Sequence, residues 1–148
     1  MSTFDYLDLP HPADDDTSAR AASLRSRAAV QAADKDAWLA IFADDAIVQD
    51  PVGVSPLDET GLGHHGKEAI AAFWDNVIAP NPPRMDLVSS HAGGAEVANV
   101  LTITSTFPDG STVSGDLVAI YKVRVDGKVL SLRAFWEFDQ LRFTAAPD

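Results

Sequence analysis

The chain has 148 residues, one ordinary domain's worth and enough to bury a core. Its formal net charge of -11 leaves no basic patch for phosphates, which argues against nucleic acid and against an anionic membrane surface. Cysteine is absent, so disulfides, thiolate nucleophiles and cysteine metal sites are excluded.

No apolar run approaches the roughly 20 residues of a membrane span, and the first residues lack the basic-then-apolar order of a signal peptide. A cytoplasmic protein is expected. Residues 1–16 read as a loosely ordered N-terminal arm, because Asp14-Asp15-Asp16 is a charge run and Pro10 and Pro12 interrupt regular structure. Residues 17–140 form the domain, and 141–148 a C-terminal tail.

Thr17 or Ser18 can cap a first helix over 17–33. Its face of Ala22, Ser26, Ala29 and Ala33 is small-sided and carries one hydroxyl. A second helix over 34–43 has Trp38, Ile41 and Phe42 as its apolar stripe. A strand follows over 46–50, where Pro51 forces Asp50 into extended backbone and ends the pairing. Residues 51–65 are rich in Gly, Pro and polar side chains and read as a loop, with His64 and His65 solvated. Gly66-Lys67-Glu68 opens a third helix whose stripe of Ile70, Phe73, Trp74, Val77 and Ile78 follows helical spacing until Pro80. Four strands come next, over 85–91, 96–107, 112–125 and 128–138. Turns at Pro108-Asp109-Gly110 and Asp126-Gly127 separate the last three. Three helices and a meander of long strands make an α+β chain. A curved, mostly antiparallel sheet with helices on its concave face would enclose an apolar pocket.

Period-two alternation assigns faces. Val113, Gly115, Leu117, Ala119, Tyr121 and Val123 share the inner side of one strand, and Asp116 faces out. In the last strand Leu130, Leu132, Ala134, Trp136 and Phe138 point inward, Arg133 points outward, and Phe135 is an outward apolar exception. Asp50 lies on the apolar face of Ala46 and Val48. A carboxylate there is costly to desolvate, and burial raises its pKa and makes it a better base. On spacing alone it reads equally as a strand-end Asp accepting backbone N–H bonds. The adjacent His64 and His65 have no third ligand in view, so no metal site is expected. No Gly-rich phosphate loop follows a strand.

The run Phe42-Ala43-Asp44-Asp45-Ala46-Ile47-Val48-Gln49-Asp50-Pro51-Val52-Gly53 resembles the bacterial ketosteroid isomerases. So do Ile70-Ala71-Ala72-Phe73-Trp74-Asp75-Asn76 and Gly127-Lys128-Val129-Leu130-Ser131-Leu132-Arg133-Ala134. The longer loop after Gly53, the Gly66-Lys67-Glu68-Ala69 helix start and Trp136 near the C-terminus resemble the actinobacterial ketosteroid-isomerase-like branch. The superfamily, with nuclear transport factor 2 and the SnoaL-type cyclases, shares a cystatin-like α/β cone.

The resemblance implies an intramolecular isomerase of lipid metabolism that needs no cofactor. Asp50 would be the base that moves a proton α to the carbonyl of a 3-ketosteroid or a similar flat apolar substrate. Phe42, Val48, Trp74, Val88, Leu117, Ala119, Tyr121 and Trp136 would line the pocket. The family's two oxyanion donors, a Tyr and a protonated Asp, fall on Ser26 and Ala119. Ser26, Tyr121 and Trp74 are therefore the candidate replacement donors. The alternative is a binding protein for steroids or other hydrophobic small molecules in the same pocket. A homodimer is implied, with Phe135 in its interface.

Overall fold

The computed structural model describes residues 6–147; residues 1–5 of the expected arm and Asp148 lie outside them. Helix α1 (Ala19–Gln31) starts where the Ser18 hydroxyl accepts from the Ala21 N–H at 3.1 Å, satisfying one of the free donors of the first turn. Its alanines favour helix, and its small buried face of Ala22, Ser26 and Ala29 lets the helix approach the sheet closely. Helix α2 (Lys35–Ala40) is capped the same way, with the Asp34 carboxylate accepting from the Ala37 N–H at 3.1 Å.

Helix α2 ends three residues earlier than its stripe predicts. Phe42 leaves it to start strand β1 (Phe42–Gln49) and pairs in parallel with Val129. The Val129 N–H bonds the Ile41 carbonyl at 2.9 Å, so Phe42 is buried by joining the sheet, not by a helical face.

The two histidines expected in a solvated loop instead form strand β2 (His64–His65), antiparallel to β1. Gly63 permits this approach: it holds φ +90°, and a Cβ there would sit 2.9 Å from the Ile47 Cγ2.

Helix α3 (Gly66–Phe73) runs into a π-helical turn, Trp74–Ile78, in which the Ala79 N–H reaches back to the Trp74 carbonyl at 2.8 Å. Strands β3 (Arg84–Gly93), β4 (Glu96–Thr106), β5 (Thr112–Val123) and β6 (Val129–Phe135) follow as the expected meander. Gly127, at φ +87°, closes the last hairpin and lies so near Thr17 that a Cβ would stand 3.0 Å from its Cα. The sheet order is β2-β1-β6-β5-β4-β3.

Described residues on both sides of the domain touch this frame. The Leu7 N–H donates to the Leu87 carbonyl at 2.7 Å and Leu9 packs on the core, so residues of the arm lie along the β3 edge. In the tail, strand β7 (Arg142–Thr144) pairs with the start of β5. Arg142 bridges Asp116 at 3.1 Å across that pair. The result is three helices on a mixed, curved, open sheet: the α+β cone. Among the described residues no helix is long and apolar enough to cross a membrane.

Candidate active site

A cavity of about 200 Å³ opens between the end of α3, the outer halves of β4 and β5, and the C-terminal tail. Its walls are Phe73, Val77 and Ile78 from α3 and the π turn, Ile103 from β4, and Val113 and Leu117 from β5. Trp136 and Leu141 close the tail side, and Asp50 is the one carboxylate in the lining. Ser105, Ser114 and Asn81 supply the remaining polar lining. The π turn matters here: it buries Trp74 in the core and leaves the next two apolar residues, Val77 and Ile78, at the cavity. Gly115 matters too, because the Leu141 side chain fills the space where its Cβ would be, 2.8 Å away.

Asp50 stands one residue beyond β1, on the face its spacing predicts. The Val52 N–H bonds the Ala134 carbonyl at 2.9 Å and ties the following loop to β6. Trp136, two residues after Ala134, then reaches back, and its indole N–H donates to Asp50 Oδ1 at 2.6 Å. Burial pushes the Asp50 carboxyl above the usual carboxylate range, while the Trp136 hydrogen bond and the charge of His64 pull in the other direction. Asp50 is half-buried and contributes to the cavity lining.

The candidate donors are arranged differently. The Tyr121 hydroxyl donates to Ser26 Oγ at 2.8 Å, and the Trp38 indole N–H donates to the same oxygen at 3.0 Å. Burial drives the Tyr121 phenol up to about 12, with the Ser26 bond opposing and the Asp50 charge adding. Ser26, Tyr121 and Trp38 thus form one closed cluster. Trp74 sits against it, its ring 5.3 Å from Trp38.

Of the residues expected to line the pocket, Asp50, Leu117 and Trp136 do so. Phe42, Val48, Trp74, Ala119 and Tyr121 instead form the buried layer behind the cavity. Trp38, 4.8 Å from Phe42 and 6.4 Å from Phe73 by ring centroids, links that layer to the Phe73 wall. Val88 stands at the β3 bulge between Leu87 and Ser89, away from the lining. Val77, Ile78, Val113 and Gly115 carried a signal in their periodicity; Leu141, in the tail, carried none. Asp116 is outward as expected, held by Arg142 and by the Thr102 hydroxyl at 3.0 Å. Phe138, expected inward, lies beyond β6 in a short 3-10 turn, with its ring 4.7 Å from Trp136. Among the described residues no group of three His, Asp or Glu side chains could hold a metal ion.

This is a carboxyl in an apolar chamber, with one indole donor beside it and a second, self-satisfied polar cluster outside the lining. The SnoaL-like domain model matches residues 24–132. The fold superposes on the Δ5-3-ketosteroid isomerase from a Mycobacterium species with a TM-score of 0.80, at 37% identity over 85% of this chain and 98% of that one. A Mycobacterium tuberculosis protein solved in complex with estradiol-17β-hemisuccinate gives a TM-score of 0.80 at 35% identity, over 84% of this chain and 98% of its own. A computationally designed 17-OHP binder gives 0.81 at 32%, over 86% and 97%. A single architecture accounts for the cone, the cavity and Asp50 at the end of β1: the chain belongs to the SnoaL-like family, as a ketosteroid isomerase-like member.

Proposed function

We propose that the protein takes a flat, apolar, steroid-like molecule into the cavity and that Asp50 acts on it as a base, in the manner of a steroid delta-isomerase. The observation that carries this reading is the Asp50 carboxyl itself. It is the one carboxylate in a mostly apolar lining, with its pKa raised by burial. Such a group takes a proton from a carbon α to a carbonyl far more readily than a solvated carboxylate does. In the step proposed, Asp50 removes a proton from C4 of a Δ5-3-ketosteroid. The electron pair passes to the carbonyl oxygen as a dienolate, and Asp50 returns the proton to C6. The double bond moves into conjugation, and neither a cofactor nor a net proton is needed. The likeness to a ketosteroid isomerase supports the assignment.

The second reading, a binding protein without turnover, is favoured by the Ser26–Tyr121–Trp38 cluster. Its two donors are spent on Ser26 Oγ. A missing oxyanion donor typically costs about 10²–10³ in rate. Likeness to a protein solved with an estradiol derivative and to a designed steroid binder supports the shared part, an apolar ligand in this cavity. Phe135, 39% exposed with the Arg133 guanidinium 5.1 Å over its ring, marks the sheet face on which a second copy of the chain would pack.

The test is turnover of a Δ5-3-ketosteroid, followed by the ultraviolet band of the conjugated product, for the wild type and for Asp50→Asn. Turnover above buffer that Asp50→Asn abolishes establishes the isomerase. Inertness of both, with steroid-dependent quenching of tryptophan fluorescence, establishes the binding protein. No turnover and no quenching overturns both.

A further inference from the structure

Beside Asp50 stands an ionisable side chain that the proton shuttle above does not use. Strand β2 pairs with β1 so that His64 lies directly opposite Val48. Directly opposed residues share a face of the sheet, and Asp50 is two residues beyond Val48, so His64 and Asp50 lie on the same face as diagonal neighbours. Diagonal side chains on a sheet stand about 7–8 Å apart, within electrostatic reach. The His64 ring packs on Phe73, a wall of the cavity, at 4.9 Å between centroids. Its Nε2 is buried and makes no hydrogen bond to the described residues. Buried polar atoms are nearly always paired, so this nitrogen needs a reason.

We propose that His64 is a positioning residue of the site, whose imidazole governs how readily Asp50 takes a proton from the ligand.

The groups facing His64 support this assignment. Strand β1 presents Val48 and then Asp50; helix α3 presents Phe73; the preceding loop presents Asp58. The Asp58 carboxylate is already occupied, by the Thr60 hydroxyl at 2.9 Å, the Gly63 N–H at 2.8 Å and the Gly61 N–H at 3.2 Å. It holds the turn that delivers His64 to β1. His65 faces away: it is exposed, and its Nε2 pairs with the Leu62 carbonyl at 2.8 Å. Asp50 accepts a single donor, the Trp136 indole, against three for Asp58, so it is the carboxylate on which a charge at His64 acts with the least competition. Positive charge on the ring favours ionised Asp50 and weakens it as a base; a neutral ring leaves the full effect of burial. Histidine is the side chain that changes charge in the range where most enzymes work, so the strength of the base becomes pH-dependent through a neighbour.

The inference rests on reading Asp50 as the site's base, yet it can be tested without turnover. The probe is Asp50 itself. The ¹³C-carboxyl of Asp50 is titrated by NMR in the full chain, in the wild type, in His64→Gln and in His64→Phe. In both His64 variants the Asp50 midpoint is expected to rise. His64→Phe keeps the packing on Phe73, so the same rise in both variants separates charge from shape. An unchanged Asp50 midpoint in two folded variants overturns the proposal. If steroid turnover fails in the wild type while the midpoints move as expected, the isomerase reading falls and the coupling stands.

Discussion

Trp136 Nε1 and Asp50 Oδ1 are 2.6 Å apart, joined across 86 residues of chain by a hydrogen bond that forms part of the cavity wall. The indole serves both as apolar surface for a ligand and as the donor that holds the carboxylate in one orientation. Trp136→Phe keeps most of the surface and removes the donor. A hydrogen bond to a charged group contributes about 1.5–3 kcal/mol, which is about one to two pH units. The Asp50 midpoint is expected to rise by that order. The acid limb of a turnover or binding profile should rise with it, and an unmoved profile would show that the bond does not control the carboxyl.

Asp50→Asn removes a group that the folded state prefers protonated. Because burial raises the folded pKa above 3.8, the stability Asp50 contributes is fully present below the unfolded value and is lost as pH rises through the folded one. The variant is therefore expected to melt higher than the wild type at neutral pH, by roughly 2–4 °C for each kcal/mol recovered. The difference should close below about pH 3.8. Thermal melts at a series of pH values check this, and a lower Tm at neutral pH would contradict it.

Ser26→Ala takes away the acceptor shared by Tyr121 and Trp38. Two buried donors are left unpaired, each costing about 1–3 kcal/mol. A loss of about 2–6 kcal/mol in urea unfolding is expected, large for one hydroxyl.

Leu141→Ala opens the tail side of the cavity, where the leucine covers Gly115. The residue is half-buried, so the stability cost should be about 1–2 kcal/mol. Steroid dissociation is expected to speed up more than association slows, read by stopped-flow fluorescence.

Alternation in β5 alone marks Leu117, Ala119, Tyr121 and Val123 as inward, and all four are buried. It did not distinguish Leu117, which reaches the cavity, from Tyr121, which lies behind it. Period two reports the face of a strand and says nothing of depth, which Trp38 sets from another element. The start of β1 was hidden for a related reason: Trp38, Ile41 and Phe42 fit a helical stripe, and three residues cannot distinguish a helix end from a strand start. Strands β2 and β7 span two and three residues, too short for any periodicity. His64 therefore carries no strand signal in the sequence, and its register with Val48 is visible only in the fold.

The Trp38 layer also determines what the protein can accommodate. Trp38, 2% exposed, stacks on Phe73 with ring centroids 6.4 Å apart, and Phe73 is a wall of the cavity. The inner boundary of the chamber is thus backed by a residue that a guest does not touch. Trp38→Leu removes that backing, so Phe73 gains room to shift, and the same scaffold is expected to admit bulkier guests.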